Sequence, residues 1–105
     1  MWFIETPVFS SQLYALLSDD DFSSLQLALA LRPEQGTLIP GGGGLRKLRW
    51  GHRGRGKRGG LRVIYYWDPA EGGIYLLFLY PKNRQEDLTP EQLKLLRRIV
   101  QEDLK

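Results

Sequence analysis

Residues 41–66 read GGGGLRKLRWGHRGRGKRGGLRVIYY. No acidic residue stands between Glu34 and Asp68, and eight of the fifteen Lys and Arg fall in that gap: Arg46, Lys47, Arg49, Arg53, Arg55, Lys57, Arg58 and Arg62. Such a block repels itself unless a polyanion neutralises it. Its flanks are strand-like. Leu45, Leu48 and Trp50 lie on one side, and Leu61 through Trp67 on the other. A mobile basic loop between two anchored strands is therefore expected, an arrangement suited to phosphate contact. The plainer reading, a solubilising surface loop, is outweighed by the density of cations and the absence of acids.

Working outward, alternation places Arg46, Leu48 and Trp50 on one face of the first strand, and Leu45, Lys47 and Arg49 on the other. Along the second strand Arg62 shares a face with Ile64 and Tyr66. A turn rich in Gly and Pro follows from Asp68 to Gly73. The third strand, Ile74 to Tyr80, is apolar on both faces, as a central strand covered on each side would be. Two successive hairpins give an antiparallel meander. Pro40 and Gly41 to Gly44 form a flexible joint before it. The four glycines suggest a phosphate loop but lack the Lys-Ser/Thr ending of one.

Upstream, Trp2, Phe3 and Ile4 form a short strand stopped by Pro7. Ser10 or Ser11 is the expected cap of a helix carrying Leu13, Leu16 and Leu17. Ser18 caps the next, whose stripe is Phe22, Leu25 and Leu29 and whose end is Pro33. Asp19, Asp20 and Asp21 suit the positive end of that helix, and capping is preferred over metal binding because no partner ligand is apparent. Downstream, Thr89, Pro90 and Gln92 make a capping box at the start of the last helix. Its buried stripe is Leu93, Leu96, Val100 and Leu104. The order is β-α-α-β-β-β-α, an α+β fold in which a helical hairpin and a C-terminal helix pack a small antiparallel-meander sheet.

The chain of 105 residues suits one domain, 1–105, with a formal net charge of +3 that is strongly segregated. It has no cysteine, which removes disulfides and thiolate metal sites and is compatible with the cytoplasm. No signal peptide or membrane span is expected from MWFIETPVF or any later window. In-line phosphoryl displacement needs a base, an acid and positive charge on the developing phosphorane. With His52 the one histidine, a histidine pair is excluded. No carboxylate constellation is expected near the basic strands, which argues against two-metal chemistry. Lys, Arg and Tyr remain. Arg62 is the strongest candidate, since an arginine amid LRVIYYW needs an anionic partner if buried.

GGLRKLR at 43–49, GKRGGLRVIYYW at 56–67 and YLLFLYPKN at 75–83 resemble the RelE/HigB-like toxins of bacterial type II toxin–antitoxin systems. The resemblance implies a RelE-like fold and a metal-independent, cofactor-free endoribonuclease of the bacterial cytoplasm. Such a toxin cleaves messenger RNA in the ribosomal A site by 2′-hydroxyl attack on the adjacent phosphate. It further implies silencing by a cognate antitoxin with a helix-turn-helix domain. Carried over by position, Arg62 matches the strand arginine on the scissile phosphate. Lys47 and Arg49 match basic residues of the preceding strand, and Lys82 the second basic cluster. Lys57 and Arg58 would hold flanking phosphates or ribosomal RNA. Arg46, Arg53, Arg55 and Arg84 complete the expected RNA-binding set. The sequence departs from the family where some members carry a catalytic tyrosine, for residues 85–89 read QEDLT. Tyr80 is the substitute offered here. A non-catalytic RNA- or ribosome-binding module, and a toxin of the related gyrase-poisoning branch, stay open as alternatives.

Overall fold

The computed structural model describes the backbone of residues 1–52 and 56–103, and the side chains of these except 52, 56–59 and 103. Strand β1 (Trp2–Glu5) leads into helices α1 (Pro7–Leu16) and α2 (Asp19–Leu31). Strands β2 (Thr37–Leu38), β3 (Leu45–His52), β4 (Gly56–Asp68) and β5 (Gly73–Pro81) follow, then helix α3 (Pro90–Arg98). A wider π-helical turn, Ile99–Asp103, extends α3. The fold is α+β, with the sheet order β1-β5-β4-β3-β2. The β3-β4-β5 meander is antiparallel, as expected. Two additions were not anticipated: the two-residue β2 on β3, and the parallel pairing of β1 with β5.

The first helix starts earlier than the serines suggested. Thr6 is its cap, accepting from the Phe9 N–H at 3.1 Å, and Pro7 sits inside the first turn. Proline lacks the N–H that a first turn cannot use and has φ already set. It therefore opens the helix instead of merely ending the strand. The same Thr6 hydroxyl donates to the Leu77 carbonyl at 2.8 Å, and the Gln12 side chain accepts from Leu79 N–H at 2.8 Å. Helix α1 thus serves the edge of β5 where the short β1 runs out. Ser18 caps α2 as expected, accepting from Asp21 N–H at 3.1 Å, with the three aspartates in its first turn.

The glycine run is a tight hairpin turn rather than a loose joint. Ile39 N–H bonds to the Leu45 carbonyl at 2.9 Å, and Gly41, Gly43 and Gly44 all have positive φ. That region is open to glycine at no steric cost. The basic segment also differs from expectation. His52 pairs with Gly56, so β3 and β4 run well into it; the loop expectation at Arg53 and Arg55 lies outside the described residues.

Two apolar clusters cover the sheet. Phe9, Leu25, Leu29, Leu48, Leu61, Val63, Tyr65, Ile74, Leu76 and Leu79 pack under the α1–α2 hairpin. Leu45, Ile64, Leu77, Tyr80, Leu96 and Val100 pack under α3. Among the described residues, Leu96 and Val100 are the buried members of the predicted stripe; Leu104 lies outside them. No helix among the described residues is long and apolar enough to cross a membrane.

Candidate active site

Strand register builds the site on the α3 face. Arg49 stands opposite Arg62, and Arg62 stands opposite Tyr80, giving one row across three strands. The neighbouring row is Lys47, Ile64 and Phe78. Opposed like charges on adjacent strands are destabilising, so the Arg49–Arg62 pair is a local cost. It falls when an anion sits between them.

Arg62 carries most of that cost. It is 1% exposed, so the sequence's condition applies: a buried arginine needs an anionic partner. Its Nη1 donates to the Leu61 carbonyl at 3.3 Å, and its Nη2 lies 3.5 Å from a Glu86 carboxylate oxygen. Its Nε is the one buried side-chain polar atom without a partner among the described residues. The effective cost of burying a charge is several kcal/mol, offset only by close geometry and full hydrogen bonding. Two long contacts and an orphan N–H do not meet that standard. A packing role therefore leaves the residue unexplained, while a bound oxyanion would complete the guanidinium fork.

The second partner set was not legible in the sequence. Glu86 and Asp87, from the loop after β5, fold back onto the cations: Asp87 pairs with Lys47, and Glu86 with Arg62. The expectation of no carboxylates near the basic strands is corrected here. The loop is fixed by Gln85. Its Nε2 donates to the Asp87 carbonyl at 2.9 Å and to Gln92 Oε1 at 2.8 Å. Gln92 is itself half of the reciprocal capping box with Thr89. The first turn of α3 thereby sets the position of both acids. Among the described residues no group of three or more His, Asp or Glu converges as a metal site would require.

Tyr80 donates its hydroxyl proton to the Glu86 carbonyl at 3.3 Å. Burial pushes this hydroxyl up to about 12, with the Asp87 carboxylate adding to the effect and the Arg62 guanidinium opposing it. At neutral pH it is a donor. Beside the rows an open polar depression of about 490 Å³ is lined by Arg32, Gln35, Thr37, Lys47, Leu48 and Arg49. Arg32 was not among the expected site residues.

The remaining candidates scatter. Arg46 points to the other face, where Nη1 donates to the carbonyls of Glu34 and Gly36, each at 2.8 Å. Lys82 follows β5 directly, its N–H bonded to the Gly60 carbonyl at 3.1 Å, and is half-buried. Arg84 is exposed and lines a separate cavity with Gln12, Tyr80 and Gln85. Lys57 and Arg58 lie in β4, but their side chains, like Arg53 and Arg55, lie outside the described residues.

The fold is a small α+β domain with a five-stranded, mostly antiparallel sheet, bearing arginines, a lysine and a buried tyrosine in adjacent rows. The family model described as the RelE toxin of the RelE / RelB toxin-antitoxin system matches residues 10–105. The chain belongs to the RelE toxin family, and its system includes a cognate antitoxin.

Proposed function

We propose that this toxin is a ribosome-dependent endoribonuclease that cuts messenger RNA in the ribosomal A site. The observation that carries the reading is the buried, incompletely bonded Arg62 beside Arg49, Lys47 and Tyr80. Arg62 binds the scissile phosphate and stabilises the charge that builds on it, the largest single contribution expected in such a site. Arg49 and Lys47 hold that phosphate and its neighbour, and Lys82, just past the end of β5, adds a further cation. Because the nucleophile is the 2′-hydroxyl, DNA is not cut.

The test is cleavage of a defined message on programmed ribosomes by the purified toxin freed of its antitoxin. Cutting of the all-ribose message is expected, and none when the nucleotide 5′ to the cut carries a 2′-deoxy sugar. Translation arrest with an intact message would instead favour a non-catalytic ribosome-binding module.

A further inference from the structure

The reaction needs a proton acceptor for the 2′-hydroxyl, and the rows themselves offer none. Lys47, Arg49 and Arg62, as cations, are donors only, and a protonated phenol such as Tyr80, though it can accept a hydrogen bond, is no base for a 2′-hydroxyl proton. The acceptors that the fold brings to this face are two carboxylates. Asp87 is engaged by the Lys47 ammonium, whereas among the described residues the Glu86 carboxylate makes a single long contact of 3.5 Å, to a guanidinium whose buried Nε has no partner among them. We propose that Glu86 is the general base of this toxin, a catalytic residue standing where other family members use a tyrosine. This rests on the endoribonuclease reading above.

The step balances as follows. A phosphate oxygen replaces the Glu86 carboxylate on Nη2 of Arg62 and also takes up the free Nε. The displaced carboxylate then faces the adjacent 2′-hydroxyl and accepts its proton. The O2′ lone pair forms the bond to phosphorus. The bond from phosphorus to O5′ breaks, and its electron pair leaves on O5′, which takes the Tyr80 proton. The products are a 2′,3′-cyclic phosphate and a 5′-hydroxyl; solvent reprotonates Tyr80 and removes the proton from Glu86. A hydroxyl pushed up to about 12 still gives up its proton to an alkoxide, which is a far stronger base than the phenolate left behind. The charged and titratable groups around Glu86 are Arg62 from β4, which stands opposite Arg49 of β3, Tyr80 from β5, whose hydroxyl donates to the Glu86 carbonyl, and the adjacent Asp87, paired with Lys47. Gln85 is a positioning residue, since it ties the loop to Gln92.

The experiment compares wild type, Glu86→Gln, Glu86→His and the surface control Glu71→Gln in single-turnover cleavage on programmed ribosomes from pH 5 to 9. Ribosome affinity is measured in parallel. Glu86→Gln is expected to cleave on the order of 100- to 10,000-fold more slowly, with affinity equal or tighter and Glu71→Gln unchanged. Glu86→His is expected to recover part of the rate, with the acidic limb of its pH profile moved up to about 6.5, the ordinary histidine value. Cleavage by Glu86→Gln within about threefold of wild type would overturn the proposal; with tighter binding, it would make Glu86 only a competitor of the phosphate. A wild type that does not cut would sink the endoribonuclease reading itself, an outcome distinct from an active wild type beside an active Glu86→Gln.

Discussion

The two faces of the sheet are built from one alternating pattern and are finished in opposite ways. Under the α1–α2 hairpin every row is closed. Val63, Leu76 and Leu79 are fully buried, and the polar groups there are bonded: the Tyr65 hydroxyl donates to the Pro33 carbonyl at 2.6 Å and accepts from Gly36 N–H at 2.9 Å, and Arg46 donates to the Glu34 and Gly36 carbonyls. Under α3 the apolar cover stops partway. Leu45, Ile64, Leu77 and Val100 pack at one end, and at the other the same strands present Arg49, Arg62 and Tyr80. A charge sits in the packed layer with an N–H left over. The difference teaches where this molecule spends stability: one face is satisfied, and the other is held incomplete where an anion would complete it.

The first face should break by loss of volume alone. Leu76→Ala removes a fully buried side chain from the closed cluster and should cost about 2–5 kcal/mol of stability, the range for leucine truncation in a core. Urea denaturation checks it. Activity per folded molecule should be unchanged. A loss below about 1 kcal/mol would mean that this face is packed less tightly than described.

The second face should show itself at alkaline pH. The folded Tyr80 hydroxyl titrates near 12, above its ordinary value of 10, so the folded state favours the protonated form. That contribution is complete below pH 10 and is lost as pH rises through 12. Tyr65 is also raised, by burial against the opposing Gly36 N–H and Arg46, and adds with the same sign. Stability measured from pH 9 to 12 should fall in wild type and fall less steeply in Tyr80→Phe, with the Tyr65 part retained. Identical slopes would remove Tyr80 from the buried row.

The smallest effect is expected at the exposed end of that row. Arg49 is solvent-exposed, so Arg49→Ala should barely change stability. It should lower RNA affinity modestly and reduce the salt dependence of binding by about one phosphate contact. An unchanged salt slope would place the RNA elsewhere.

How much of this could be read from the chain depended on how local each signal was. The capping box of Thr89 and Gln92 sits within four residues, and α3 was legible from it. The faces of β3 and β4 followed from alternation, which already placed Lys47 with Arg49 and Arg62 with Ile64. Their alignment into rows required register, including the irregularity between Ile64 and Tyr65, and that is set by contacts along both strands. The pairing of β1 with β5 joins residues such as Phe3 and Ile74, for which no local pattern exists. Thr37–Leu38 is too short and too exposed for periodicity to register. Pro7 carries two local meanings, a strand stop and a first-turn residue, and the sequence around it does not choose between them. The approach of Glu86 and Asp87 to the cations is not legible locally, because the loop that returns them is held by the side-chain bond from Gln85 to Gln92. Their place directly after the second basic cluster was the available hint.

The claim at the centre is that Arg62 is kept for phosphate and not for folding, and Arg62→Met tests it most directly. Methionine keeps much of the length and removes the buried, poorly paired charge. The measurement is folding stability and messenger RNA cleavage on programmed ribosomes, made on the same preparation and matched for folded content. The expected result is stability unchanged or raised by about 1–4 kcal/mol, with cleavage lowered by roughly 100- to 1,000-fold. A variant that loses several kcal/mol of stability yet cleaves at the wild-type rate per folded molecule would contradict the account.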